Sequence, residues 1–231
     1  MRCNGEIQKV PGFENYHQCT QNVPLFRRGS LPPEELMTWK SDTWIEVADG
    51  DAVMTMHGDV ALAKARLRHD AFDYVAFDGE LFDVERFFVF VPDKLFLVVD
   101  RLIAITDAEV TAGQIWHSTA TVSVNGENAI GFSRDGRTFM ARFAQSRPMR
   151  WNISEHDNQD NDPFYFPNPV RDMLCHGVLH VRKGDVISFA AAFGRSVDEV
   201  KLKQDASRTG VSCGKIKLSI DSFDHAKIKF G

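Results

Sequence analysis

The hydrophobic pattern of this chain is most distinctive between residues 83 and 102. Two runs of aromatic and β-branched residues, 84–91 and 95–102, flank the corner Pro92-Asp93-Lys94. Such a pattern predicts two long antiparallel strands joined by a tight turn. Both runs are apolar at nearly every position instead of at alternate positions. We therefore expect both faces of this hairpin to be covered, as in the middle of a two-sheet sandwich.

Turn signals recur about every ten residues from Trp44 onward, which is the spacing typical of a sandwich or barrel. Glycine in these turns supplies the positive φ that tight hairpins need. The predicted turns are Asp49-Gly50, Gly58-Asp59, Asp78-Gly79, Asn125-Gly126, Asp135-Gly136 and Lys183-Gly184. No long stretch has the 3.6-residue apolar period of a helix. The sequence predicts an all-β, antiparallel two-sheet β-sandwich of supersandwich or jelly-roll-like form.

The two ends of the chain differ in pattern. Residues 1–43 lack periodicity and are rich in proline and glycine, so we predict an irregular N-terminal arm with one helical turn at 33–37. Residues 44–231 are predicted to form the β-sandwich domain, in which 154–168 is a polar surface loop. Residues 215–220 and 226–230 alternate apolar residues with lysine, which predicts a half-exposed edge hairpin.

Composition narrows the class of protein. With 231 residues, a hydrophobic fraction of 43% and eighteen Phe, the chain can bury a substantial core. Its net charge of −5 argues against nucleic-acid binding. No run has the roughly 18 apolar residues of a membrane span, and the N-terminus lacks a signal-peptide core. The four cysteines show no Cys-x-x-Cys spacing, so we expect free thiols, with Cys3–Cys19 as the pair to form if the protein is exported.

No motif for a catalytic nucleophile, a phosphate loop or a dinucleotide cofactor occurs, so we predict no catalytic residue and no cofactor. Histidine side chains are the remaining candidates for catalysis or metal binding. His176 and His180 share a strand face but have no third ligand in their pattern, and we predict no metal site. His57 and His69 lie beside aspartates at predicted turns, and His117 is expected to be a hydrogen-bonded core residue. A metal-dependent enzyme built on His57, His176 or His180 stays open as an alternative.

One aromatic residue lies among basic side chains. Trp151 is close in sequence to Arg142, Arg147 and Arg150. Aromatic rings stack on the apolar faces of sugars, and arginine pairs with carboxylate or sulfate groups. We therefore predict that Arg142, Arg150 and Trp151 bind an anionic glycan. The alternative is that Trp151 is a core residue and the arginines form a solvated face.

A family resemblance accompanies these patterns. Residues 85–91 and 96–102, followed by Gln114-Ile115-Trp116-His117-Ser118, resemble the C-terminal β-sandwich of the heparinase II/III-like polysaccharide lyases, which include the oligoalginate lyases. The resemblance covers about residues 44–195. It implies β-elimination on acidic polysaccharides or oligosaccharides, and a periplasmic or secreted location.

A second stretch extends the resemblance to the N-terminus. Asn4-Gly5-Glu6-Ile7-Gln8 is similar to the Asn-Gly-x-x-Gln segment that follows a His-Asn pair in this family. That alignment implies that Asn4, Gln8, Tyr16 and His17 face a glycan cleft. It also implies that the helical (α/α) toroid, with its Tyr acid/base, lies upstream of Met1. The chain is then expected to form one wall of the cleft and to be inactive alone. The alternative is a free-standing carbohydrate-binding or structural module.

Overall fold

The computed structural model describes residues 24–36, 43–71, 81–156 and 169–230. These residues form antiparallel β-structure and one four-residue helix. The elements are β1 (Pro24–Arg28), α1 (Pro33–Leu36), β2 (Thr43–His57), β3 (Val60–Ala71), β4 (Phe82–Val91), β5 (Leu95–Ala104), β6 (Ala108–Ser118), β7 (Thr121–Val124), β8 (Ala129–Arg134), β9 (Arg137–Gln145), β10 (Arg150–His156), β11 (Val170–Val181), β12 (Val186–Gly194), β13 (Val200–Asp205), β14 (Arg208–Cys213), β15 (Ile216–Ile220) and β16 (Ala226–Phe230). Within the described ranges, no helix is long and apolar enough to cross a membrane.

The strands form three sheets in the described part of the chain. The first sheet has the order β1-β6-β11-β10, the central sheet β2-β3-β4-β5-β12-β9-β8-β7, and the C-terminal sheet β13-β14-β15-β16. The central sheet is packed against the other two. The all-β, antiparallel class is therefore confirmed, and the structure adds a third sheet to the two that the sequence predicted.

The β4–β5 hairpin is confirmed and lies between the other two layers. On one face, Phe87 and Val99 pack in the same cluster as Leu218 of the C-terminal sheet. On the other face, Val84 and Leu102 pack in the same cluster as residues of the first sheet. This three-layer arrangement explains why the hairpin is apolar at nearly every position: most side chains on both faces of these strands are buried between layers.

Strand β12 is buried along its whole length beside β5. Its alanines leave room for large rings on neighbouring strands, because packed layers need small residues opposite large ones. Trp116 of the first sheet meets Phe193 edge-on at 4.8 Å between ring centroids. Phe143 on β9 meets the same Phe193 ring at 6.1 Å. This aromatic group closes the core between the first and central sheets.

A buried ion pair joins the central sheet to the first sheet. Asp100 accepts hydrogen bonds from Arg86 Nε at 2.5 Å and from Arg86 Nη2 at 2.8 Å. Gln114 of the first sheet donates to the same carboxylate and accepts from Trp116 Nε1 at 3.0 Å. All four side chains are at most 2% exposed. The buried polar atoms are thus paired with one another, as burial of charge requires.

A second ion pair joins the opposite face of the same hairpin to the C-terminal sheet. Arg101 donates to Glu85, to Thr209 Oγ1 at 3.1 Å and to the Ser207 carbonyl oxygen at 2.6 Å. Burial raises the pKa of Glu85, although the charge of Arg101 opposes that change. Burial also lowers the pKa of Arg101. The two ion pairs are one residue apart along each strand, so alternation directs them to opposite layers.

The structure confirms four of the predicted turns and corrects one. Glycines 58, 126, 136 and 184 have positive φ between strands, as predicted. The turn predicted at Asp49-Gly50 is wrong, because β2 runs through these residues as one strand. Its pairing with β3 shifts register between Val47 and Ala52. Asp-Gly here lies in this irregular stretch of a continuing strand, and the same residue types occur both in turns and in β-bulges. The Asp78-Gly79 turn lies outside the described residues.

At the chain ends, the lysine-bearing hairpin β15–β16 is confirmed as an edge of the C-terminal sheet. The predicted helical turn is confirmed as α1. Within the segment 1–43, Pro24–Arg28 pairs with β6 as a strand of the first sheet. The division into an arm at 1–43 and a domain at 44–231 stays a prediction. Most of the predicted loop 154–168, and both Cys3 and Cys19, lie outside the described residues. Cys175 and Cys213 are buried free thiols.

Candidate functional site

A groove of about 780 Å³ opens where the chain passes from the central sheet to the first sheet. One wall is the β7–β8 turn, which contributes Val124 and 126–128. The other wall is the β9–β10 connection at 145–149, and Trp151 completes the lining. Residues distant in sequence thus meet here, because β8 pairs with β9 and brings the two connections side by side.

Hydrogen bonds hold both walls in place. The Phe143 amide donates to the Asn128 carbonyl oxygen at 2.9 Å, and the Ser146 amide donates to the Ser188 carbonyl oxygen at 2.9 Å. The Gln145 side chain donates from Nε2 to Asn128 Oδ1 at 3.1 Å. The first bond holds the β7–β8 turn against β9 through the backbone, and the last joins the two walls through side chains. The groove is therefore preformed.

Trp151 contributes the aromatic surface of the groove. Its ring is half-buried and stands edge-on to Phe143, with 4.7 Å between the ring centroids. This contact fixes the orientation of the indole while part of it lines the groove. Trp151 is therefore both a partner of the aromatic core and a groove residue, which combines the two readings that the sequence left open.

Two charged side chains lie in the groove lining. Arg147 and Glu127 are both exposed and come from opposite walls. Arg147 makes no hydrogen bond or ion pair with any other side chain in the described ranges. Its guanidinium is available to a ligand. The sequence pattern singled out Arg147, but it missed Glu127, Asn128 and Gln145. For Glu127 and Asn128, the only nearby signal in the sequence was the predicted turn at Asn125-Gly126.

The structure separates the other predicted glycan-binding arginines from Trp151. Arg142 precedes Phe143 on β9, and alternation directs it to the opposite face of the central sheet. Its Nε is buried without a hydrogen-bond partner. Arg150 precedes Trp151 on β10 and is paired in register with His176, on the outer face of the first sheet. The groove therefore brings Arg147 and Trp151 together, and it includes neither Arg142 nor Arg150.

The N-terminal candidates Asn4, Gln8, Tyr16 and His17 lie outside the described residues. Their assignment to a glycan cleft stays a prediction.

The outer face of the first sheet holds a buried histidine. His176 is 1% exposed, and neither of its ring nitrogens has a hydrogen-bond partner among the described residues. Gly113 lies opposite it, and a Cβ on that glycine would stand only 2.9 Å from His176 Cβ. Burial lowers the pKa of His176, the nearby charge of Arg150 lowers it further, and Glu34 of α1 opposes both effects. The lowered pKa favours the neutral imidazole, and the side chain lies in a closely packed layer.

Three other histidines have ordinary roles in the described structure. His117 Nδ1 lies 2.6 Å from Asp172 Oδ1, and both side chains are 13% exposed, which confirms the predicted hydrogen-bonded residue. His180 is 83% exposed and lies 3.4 Å from Glu109. His57 is exposed and lies 3.4 Å from Thr55. Over residues 24–36, 43–71, 81–156 and 169–230, no group of three or more His, Cys, Asp or Glu side chains could hold a metal ion.

Comparison with known proteins yields relatives in fold. No protein-family model matches the sequence, and no curated protein matches it. Among solved structures, the chain is similar to heparan sulfate lyase HepC from Pedobacter heparinus, with a TM-score of 0.52 and 9% identity over 94% of this chain and 31% of that one. A HepC mutant gives a TM-score of 0.54 and 10% identity over 89% of this chain and 30% of that one. A heparinase III gives a TM-score of 0.51 and 9% identity over 84% of this chain and 30% of that one.

These matches define the class of fold. The chain has the fold of a β-domain found in heparan sulfate lyases of the heparinase III type, which confirms at the level of fold the resemblance seen in the sequence. It spans about 30% of the length of the lyase chains that it matches.

Proposed function

We propose that this chain is the β-sandwich part of a heparinase III-like polysaccharide lyase and forms one wall of a glycan cleft. The carrying observation is the fold match, which takes in 94% of this chain but 31% of the HepC chain. The rest of such an enzyme is a helical (α/α) toroid that supplies the acid/base side chain. Its substrate is an acidic polysaccharide or oligosaccharide.

The chemistry explains why the sandwich would not act alone. In β-elimination a base removes the proton next to a uronate carboxyl group, and the glycosidic oxygen leaves. The developing negative charge needs donors held about 3 Å from the carboxylate. A single wall of the cleft does not hold the substrate to that precision, because small misplacements of the reacting groups cost much of the rate.

An exposed apolar face supports the proposal that a partner domain docks on this chain. Met54, Met56 and Phe90 are 68%, 60% and 49% exposed. Pairing through β3 places them on one face of the central sheet, the face to which Phe88 also belongs. Apolar patches of this kind on a folded surface are typical of interaction sites. We therefore assign this face, defined by Met54, Met56 and Phe90, to docking of the helical domain.

The test compares the chain alone with the chain joined to a helical toroid domain of a heparinase III-type lyase. Heparan sulfate and oligoalginate are the substrates, and ultraviolet absorbance of the unsaturated uronate product is the readout. We expect product only from the joined protein. Met54→Ser with Met56→Ser should weaken association of separately purified domains, whereas Val178→Ser, an exposed valine of the first sheet, should not. Product from the chain alone, or none from either form, would contradict the proposal.

A second candidate function is a free-standing carbohydrate-binding module. The preformed groove with Trp151 and Arg147 favours it, because such a site needs no second domain. Glycan binding by the chain alone, with the bound sugar recovered unchanged and no gain on joining the helical domain, would identify this function.

A further inference from the structure

We infer that the groove between the β7–β8 turn and the β9–β10 connection binds an anionic sugar, with the sugar ring against Trp151 and its acid group against Arg147. This inference rests on the proposed glycan function and deepens it, because it assigns a sugar subsite to residues of this chain alone.

The shape of the groove suits a small segment of a glycan. Its volume of about 780 Å³ lies within the range of ligand sites, roughly 300–1,000 Å³. The Gln145–Asn128 side-chain bond joins the two walls, and the Phe143–Asn128 backbone bond holds the β7–β8 turn against β9. A ligand therefore does not have to order the loops on binding, which lowers the entropic cost of association.

The chemistry of the lining selects a sugar that carries an acid. The Trp151 indole is oriented by Phe143 and presents an aromatic surface to the apolar side of a ring. Since Gln145 Nε2 donates to Asn128 Oδ1, the Asn128 amide hydrogens and the Gln145 carbonyl oxygen remain to bond hydroxyl groups. The Arg147 guanidinium, which has no side-chain partner in the part of the chain that the structure describes, matches the two oxygens of a carboxylate or sulfate.

Glu127 lowers the affinity of the groove for an acidic sugar. Its carboxylate lines the wall opposite Arg147, so the groove carries one positive and one negative charge. A ligand with one acid group can pair with Arg147 while its hydroxyl groups face Glu127. Replacing Glu127 with glutamine removes the repulsion and should tighten the binding of an acidic sugar. This increase distinguishes a defined subsite from general attraction to a basic surface.

The experiment measures binding to the intact chain at low salt, where charge pairing is least screened. The probes are an alginate tetrasaccharide and the neutral cellotetraose, and the readouts are calorimetry and indole fluorescence. We expect Arg147→Ala to weaken alginate binding by about tenfold, with little change for cellotetraose. Trp151→Ala should weaken both ligands by about threefold or more, and Glu127→Gln should strengthen alginate binding alone.

Arg137→Ala is the matched control. Arg137 is also exposed, and it lies at the other end of β9, about 25 Å away along the strand. Arg137→Ala removes the same positive charge as Arg147→Ala and should leave the affinities for both sugars unchanged. Arg147 is exposed, so its replacement leaves the core intact even if Trp151→Ala disturbs the contact with Phe143.

Three results would overturn the inference: equal losses in Arg137→Ala and Arg147→Ala, unchanged alginate affinity in Arg147→Ala, or no alginate binding by the intact chain. These outcomes are separable from failure of the proposed function. If the joined enzyme forms product while the Arg147 and Trp151 variants bind as the parent does, the subsite is refuted and the lyase function stands. If the groove binds alginate but the joined enzyme forms no product, the subsite stands and the lyase function is refuted.

Discussion

Replacing Asp100 with alanine tests the polar link between the central and first sheets. Asp100 is 0% exposed, and its carboxylate accepts two hydrogen bonds from Arg86 and one from Gln114. In Asp100→Ala the Arg86 guanidinium, which is 1% exposed, loses its paired carboxylate but cannot reach water. Gln114 loses its acceptor in the same step.

The expected loss is large because one partner of a buried ion pair is removed. Such a change costs about 3–5 kcal/mol, since the remaining charge keeps its desolvation penalty. A folded domain of this kind has about 5–15 kcal/mol of stability in total. With a urea dependence of about 2–3 kcal/mol per molar, the midpoint of unfolding should fall by about 1–2 M.

The assay is urea unfolding followed by circular dichroism, and two further variants give the comparison. Asp83→Ala removes an exposed carboxylate from the neighbouring strand β4 and should change the free energy of unfolding by less than about 0.5 kcal/mol. Arg86→Leu with Asp100→Leu removes both charges and should recover a large part of the loss, because apolar replacement of a whole buried pair is often neutral. The double change should therefore be less damaging than the sum of Arg86→Leu and Asp100→Leu made singly.

The reasoning is refuted if Asp100→Ala lowers the free energy of unfolding by less than about 1 kcal/mol. It is equally refuted if the losses from the two single changes add without coupling, since that would mean that the two charges do not depend on each other.

Three further predictions follow from the packing. Gly113→Ala would place a Cβ 2.5 Å from the Cys175 carbonyl oxygen, so it should lower the free energy of unfolding by about 1–3 kcal/mol or more. Gly210→Ala is the control, because the nearest contact of its Cβ is at 3.9 Å and the cost should be far smaller. Urea unfolding of both variants measures the difference. The pKa of His176 is lowered in the fold, so the unfolded chain takes up its proton at higher pH, and stability should fall as the pH drops below about 6.5 toward the lowered value. His176→Leu should flatten that dependence in unfolding curves from about pH 7 to about pH 5, and an unchanged slope would contradict the assignment. Burial raises the pKa of Cys175 to about 12 and that of Cys213 to about 11, so iodoacetamide at about pH 8 should label both thiols in urea but neither in the native protein, as mass mapping will show.

The local patterns were sufficient for the hairpins but not for the whole of β2. Residues 84–91 and 95–102 predicted their own pairing, because the turn between them fixes an antiparallel neighbour. The Asp49-Gly50 prediction failed for a physical reason: these residues permit a reversal of the chain, but they also permit a bulge in a continuing strand. Which of the two occurs depends on how β2 pairs with β3, and the residues Asp49-Gly50 alone do not predict that pairing.

The groove was predictable only in part. Trp151 and Arg147 are close in sequence, and both their chemistry and their proximity could be inferred. Arg142 is also close, but β9 directs it to the other face, and a one-residue difference in a strand reverses the face that a side chain occupies. Glu127 and Asn128 come from a separate connection, and they reach the groove through the pairing of β8 with β9.

By itself, the sequence determined that this chain forms antiparallel strands, where most of them turn, and that the hairpin β4–β5 is covered on both faces. It did so because strand alternation and turn chemistry act between near neighbours. Only the tertiary structure decided what covers that hairpin: the first sheet on the side of Arg86 and Asp100, and the C-terminal sheet on the side of Glu85 and Arg101. That choice depends on contacts such as the one between Arg101 and Thr209, which are 108 positions apart in the chain, and the free energy of those contacts exists only once the layers have packed.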